Sequence, residues 1–125
     1  MRAGDSTKTT GRQGEQMACD FLMTRGHAIL DRNWHGGHLE IDIVSEAPDG
    51  VHFVEVKTRT APVLAPVEMQ VNPLKQRRVS SAALRYVHDK HLEGKELFFD
   101  VVSVLFDGTE TIVKYYPQAW IPIYV

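Results

Sequence analysis

Cys19 is the only cysteine in 125 residues. It has no partner for an internal disulfide and cannot build a cysteine-rich zinc site, and such a chain suits a reducing cytoplasm. No apolar stretch approaches the ~18 residues of a membrane span, and the first residues lack the apolar run of a signal peptide. Charge of one sign is also missing: 14 Lys and Arg stand against 16 Asp and Glu, a net charge of -2. Nothing global draws the chain to nucleic acid, so any such binding has to come from a local patch. There is no glycine-rich phosphate loop, no internal repeat and no compelling Ser/His/Asp arrangement. The six histidines follow no zinc spacing. His35 and His38 flank a Gly36-Gly37 turn, and His88 and His91 fall at a helix end.

What is present is an ordinary globular composition, 43% hydrophobic and 24% charged, long enough for one real core. Residues 1–10 are small and polar and read as a flexible arm, which leaves 11–125 as a single domain. Arg12 to Arg25 reads as a helix with Ala18, Phe21 and Leu22 as its apolar stripe, Met17 beside them and Glu15 on the same side. Cys19 in that helix reads as a core or half-buried residue. His27 to Trp34 and His38 to Ser45 read as strands, the second with Leu39, Ile41 and Ile43 on one side. Ala47-Pro48-Asp49-Gly50 carries turn residues, so the next strand should close a hairpin. Thr60 to Val71 reads as a surface loop, and Asn72 caps a helix with Pro73 in its first turn. Leu97 to Phe106 is a covered strand that Asp100 interrupts, Asp107-Gly108 turns the chain, and Thr111 to Tyr116 returns. Trp120 to Val125 is apolar enough to pack back on the body. Asp100 reads as a structural acceptor for a neighbouring backbone group or arginine.

The stretch from Val51 to Arg59 organises the rest. Its alternation sets Val54, Val56 and Thr58 on one side and Phe53, Glu55, Lys57 and Arg59 on the other. A carboxylate and an ammonium two residues apart on an apolar strand are costly to bury without partners. A four-residue connection at 47–50 pairs Glu46 with Val51 and sets Asp42 opposite Glu55 and Glu40 opposite Lys57. A two-residue Asp49-Gly50 turn sets Asp42 opposite Lys57 instead. Either register leaves all four ionisable side chains on one face.

Two readings of that face stay open. Carboxylates from adjacent strands suit Mg²⁺ or Mn²⁺, which prefer oxygen donors. Such an ion polarises a phosphoryl oxygen and acidifies a water. Lys57 beside it could orient that water or stabilise developing negative charge. Glu15 adds an oxygen if the first helix packs at the charged end. Seven Lys or Arg between Lys57 and Lys90, against Glu68 and Asp89, make the one basic region. Within it Arg59, Arg77 and Arg78 are the candidate phosphate contacts, and Lys75 and Gln76 open the second helix beside the site. The other reading is a solvated cross-strand salt bridge of Lys57 with Glu40 or Asp42, which contributes about 0–1 kcal/mol.

Gly11-x-x-Gly14-Glu15, Ala18, Leu39-Glu40-Ile41-Asp42-Ile43-Val44, Phe53-Val54-Glu55-Val56-Lys57-x-Arg59 and Phe99-Asp100-Val101-Val102 together resemble the YraN family of small bacterial proteins. That family is similar to archaeal Holliday-junction resolvases in the PD-(D/E)XK nuclease superfamily. The resemblance implies an α/β fold, a restriction-endonuclease-like α-β-β-β-α-β core with a mixed sheet flanked by helices. It implies a divalent-metal site from Asp42 and Glu55, Lys57 as the catalytic lysine, and Glu15 as the helix-borne acid. Leu39 stands where the family has Gly, and Ile41 where the superfamily label has Pro. The expected function is a metal-dependent nuclease hydrolysing DNA phosphodiester bonds, with branched or structured DNA as substrate and a two-fold homodimer favoured by junction cutting. The alternatives are a non-catalytic DNA-binding or DNA-processing accessory protein on the same fold, and an interaction domain with a solvated strand face.

Overall fold

The computed structural model describes residues 3–62 and 71–122. The elements run α1 (Ala3–Thr24), β1 (Ala28–Gly36), β2 (Leu39–Ala47), β3 (Gly50–Thr60), α2 (Pro73–Asp89), β4 (Leu97–Asp107) and β5 (Glu110–Tyr116). This is the expected α-β-β-β-α-β order with the return strand at its end. The strands form one sheet in the order β1-β2-β3-β4-β5, antiparallel throughout except for the parallel pair β3 and β4. Two helices and a mixed sheet agree with the fold class read from the sequence. Among the described residues, no helix is long and apolar enough to cross a membrane.

Each face of the sheet has its own core, because strand residues alternate sides. Ala18, Cys19 and Leu22 of α1 cover Ile43, Val54, Val102 and Val104. Val79, Ala82, Ala83, Tyr86 and Val87 of α2 cover Ile41, Val44, Val51, Phe53 and Phe99. The α1 stripe includes Cys19 in place of Phe21, which stays half-buried and meets Tyr115 edge-on. Gly14 brings α1 down onto β3: a Cβ there would overlap Thr58 Oγ1 and lie 2.9 Å from Thr58 Cγ2. Asn72 caps α2, its Oδ1 accepting the Lys75 backbone N–H at 2.9 Å. Trp120 packs back on Phe99 at 4.5 Å between ring centroids, and the Ala119 N–H donates to the Phe99 carbonyl.

The start of α1, the length of the hairpin connection and one alternation differ from the sequence reading. α1 begins at Ala3, not Arg12, so residues 3–10, read as an arm, continue the helix. Gly4, Gly11 and several Thr make that stretch a poor helix former by local propensity. The hairpin connection is two residues, Pro48 and Asp49, because Ala47 already pairs with Gly50. Its register is nonetheless the expected one, with Glu46 opposite Val51. Gly50 sits at φ 151 with its backbone against Glu96, where a Cβ would strike the Glu96 carbonyl. On β2, Ile41 joins the α2-side core with Val44, whereas Ile43 joins the α1 side. The paired strand explains the switch: Asn33, at φ 50, breaks the alternation of β1, and Trp34 beyond it pairs with Ile41. Residues 63–70 of the expected Thr60–Val71 loop, and 123–125 of the C-terminal segment, lie outside the described residues.

Candidate active site

The β2–β3 ladder pairs Ile43 with Val54, and then the Asp42 side chain takes over from the backbone. Asp42 Oδ2 accepts the Val56 N–H at 2.9 Å. That bond aims the carboxylate into the seam between the strands, against Glu55. The expected Asp42–Glu55 juxtaposition is therefore present, made by a side chain where the ladder lapses. Glu40 pairs across β1 and β2 with His35, at 3.7 Å between His35 Nε2 and Glu40 Oε2.

Burial and the neighbouring Glu55 carboxylate raise the Asp42 pKa to about 7, and the Val56 N–H and Lys75 pull the other way only in part. Two acids this close on a half-buried surface cannot both ionise freely without a cation between them. Lys75, in the first turn of α2, supplies one, its Nζ 3.4 Å from Glu55 Oε1. Glu55 is 20% exposed and Lys75 42% exposed, so the pair opens to solvent. Lys57 is half-buried and shares the side of Phe53 and Glu55.

The remaining site residues are distributed as follows. Gln76 is turned toward the preceding loop, its Nε2 donating to the Val71 carbonyl at 2.7 Å. Arg77 and Arg78 are exposed on α2. Arg59 is exposed, with its Nη1 donating to the Thr58 carbonyl at 2.9 Å. Glu15 accepts from Asn33 Nδ2 at 2.8 Å. Among the described residues, no group of three or more His, Cys, Asp or Glu is placed to hold a metal ion.

A second polar cluster lies at the start of β3, and the sequence reading found only one member of it. Asp100, buried as expected of a structural acceptor, takes bonds from His52 Nδ1 at 2.6 Å, the Tyr115 hydroxyl at 2.6 Å and the Gln118 backbone N–H at 2.9 Å. His52 Nε2 donates to Asp49 Oδ1 at 2.8 Å. Carboxylates only accept, so bonding both requires a proton on each ring nitrogen. Burial of His52 opposes its charge, but the bonds to Asp100 and Asp49 outweigh it and raise its pKa. His27, buried with its ring centroid 4.6 Å from that of His52, has its pKa lowered by burial and by the His52 charge. The signal available in the sequence was a pair of polar residues, His52 and Asp100, each inside an otherwise apolar strand.

The fold and this geometry define a small α/β domain whose central hairpin presents a coupled carboxylate pair beside a helix-borne lysine. The family model for an uncharacterised protein family, UPF0102, matches residues 14–104, and the chain belongs to that family, which is the YraN family. A UPF0102 protein of Pelobacter propionicus is 39% identical over 121 residues, covering 94% of this chain and 86% of the relative. One from Myxococcus xanthus is 40% identical over 110 residues, covering 88% and 87%. One from Trichlorobacter lovleyi is 35% identical over 119 residues, covering 94% of each. The matched span takes in Glu15, Asp42, Glu55, Lys57 and the start of α2.

Proposed function

We propose that the protein is a divalent-metal-dependent nuclease that hydrolyses DNA phosphodiester bonds, with branched or structured DNA as its substrate class. The observation that carries this reading is the Asp42–Glu55 pair. Its raised Asp42 pKa marks a site short of positive charge. Two carboxylates of this kind fit a hard cation such as Mg²⁺ or Mn²⁺. Asp42 and Glu55 would hold the ion, and Glu15 would join them by releasing Asn33. When bound, the ion supplies Lewis-acid polarisation of a phosphoryl oxygen and an acidified water.

The chain's own residues do the rest. The Val56 N–H fixes the orientation of Asp42, so the donor pair is set before substrate arrives. Lys57 orients the attacking water and stabilises the charge that develops on the phosphoryl oxygens. Lys75 exchanges Glu55 for a phosphate oxygen as the site fills. Arg59, Arg77 and Arg78 meet the flanking backbone phosphates, and Gln76 borders the site from the helix start.

The test is incubation with linear, single-stranded and four-way-junction DNA, with Mg²⁺ or Mn²⁺ and with chelator, beside Lys57→Ala. The expected result is metal-dependent cutting, strongest on the junction, that falls by about 10²–10³-fold in the variant. DNA binding without cutting in either metal would replace this reading with the accessory-protein alternative.

A further inference from the structure

On the α1 side of the sheet, at the start of β3 and β4, lies a cavity of about 410 Å³ whose walls include Arg25, His27, Asp49, His52, Phe98 and Tyr115. That volume falls in the range of about 300–1,000 Å³ typical of small-molecule sites. His52 is three residues from Glu55, so the cavity is ~10 Å along the strand from the carboxylate pair and on the other face. None of its groups takes part in the reading given above.

The polar groups divide into those already committed and those still available. Asp100 has three donors, and Asp49 Oδ1 holds His52. Arg25 is different. Its guanidinium lies 5.4 Å from the ring centroids of both Phe21 and Tyr115, and among the described residues no carboxylate pairs with it. His27 uses Nδ1 on the Ser45 hydroxyl at 2.9 Å and leaves Nε2 without a bond among the described residues. Pro48, Phe98 and Pro117 add apolar wall. An arginine held in place by two rings, beside an imidazole and an apolar pocket, is built to receive a planar anion with an apolar body.

We propose that this cavity binds the anionic oxygen group, carboxylate or phosphate, of a small ligand, with Arg25 pairing the charge, His27 as a second polar contact and the Phe98 wall covering the ligand body. The ligand's charge enters next to Asp100, which is paired with the His52 imidazolium and also accepts from Tyr115 and a backbone N–H, and next to Asp49, which shares that same imidazolium, so Arg25 is the cation left to meet the ligand.

The experiment follows the imidazole resonances of His27 and the ring resonances of Tyr115 by NMR in the full chain. Inorganic phosphate, adenosine monophosphate and benzoate are titrated separately. The variants are Arg25→Gln and, as a surface control, Arg12→Gln. The expected result is saturable shifts with at least one probe, weakened at least tenfold in Arg25→Gln and unchanged in Arg12→Gln. Saturation by benzoate assigns the site to carboxylates, and saturation by the phosphate probes alone assigns it to phosphates. Failure of all three probes to saturate up to about 10 mM, a concentration that would detect millimolar affinity, overturns the proposal. Equal affinity in Arg25→Gln overturns it as well.

Discussion

His52 and Glu55 lie three residues apart on β3 and on opposite faces of the sheet, in surroundings that differ in kind. Around His52 both oxygens of the buried Asp100 have donors, and a buried acid and a buried base neutralise one another. Around Glu55 two acids face each other, and the nearby ammonium of Lys75 compensates them only in part. The first arrangement holds the fold together. The second costs stability, and that cost is what the proposed metal site would relieve.

Mutation should separate the two clusters by sign. The largest effect belongs to Asp100→Ala, which strands the His52 imidazolium, the Tyr115 hydroxyl and the Gln118 N–H without their shared acceptor. Chemical denaturation should show a loss of about 3–5 kcal/mol. A loss below about 1 kcal/mol would mean the network is not what anchors β3 to β4.

Gly14→Ala comes next, because it presses on the back of β3. Thr58 is β-branched and held in a strand, so it cannot swing aside from the new methyl group. The expected cost is about 1–3 kcal/mol in a thermal or denaturant melt. No change would show that α1 can lift off β3 freely.

Asp42→Asn should do the reverse and stabilise the protein, by about 0.5–2 kcal/mol in metal-free buffer at pH 8, since Asn keeps an acceptor for the Val56 N–H. The pH dependence follows from the folded value of about 7 against an ordinary 3.8. Ionised Asp42 is disfavoured by folding, so the wild-type chain loses stability as pH rises between those values. The gain in Asp42→Asn should therefore grow from about pH 4 to about pH 7 and level off above. Denaturation at several pH values reads it, and a gain that does not change with pH would remove Glu55 as the cause.

The smallest effect is spectroscopic. The His52 imidazole should titrate above 6.5 and the His27 imidazole below it. The stabilisation from His52 is thus fully present below pH 6.5 and fades as pH rises through its folded midpoint. Coincident midpoints for the two rings would dissolve the contrast between them.

Much of the carboxylate site was legible in the chain. Pro48, Asp49 and Gly50 mark the turn, and alternation on β3 then brings Glu55 and Lys57 to one side. The register Glu46 to Val51 follows from counting. Less visible was how Asp42 arrives. It does so through a lapse in the ladder and the left-handed Asn33 on the neighbouring strand, and no period-2 pattern encodes either. The same lapse moved Ile41 to the other core. Counting also assumes that the ladder continues past Ile43, and it did not foresee His35 opposite Glu40. The His52 cluster escaped for a different reason: apart from Asp49, its partners come from β4, β5 and the segment after α1, and pattern reading pairs neighbours in sequence. The helical start at Ala3 escaped because glycine and threonine there argue locally against a helix.

The parallel pairing of β3 with β4 has a consequence for assembly. Asp42 and the Val56 N–H are 14 residues apart on one hairpin, whereas His52 and Asp100 are 48 apart and can meet only after α2 has crossed the sheet. Closing the longer loop costs more chain entropy, so Asp42 and Glu55 gather first and the buried ion pair locks them in later. During synthesis the β2–β3 hairpin would thus take shape before the clasp that holds it shut, and a nascent chain stalled within α2 would carry both acids without the network that secures their strand.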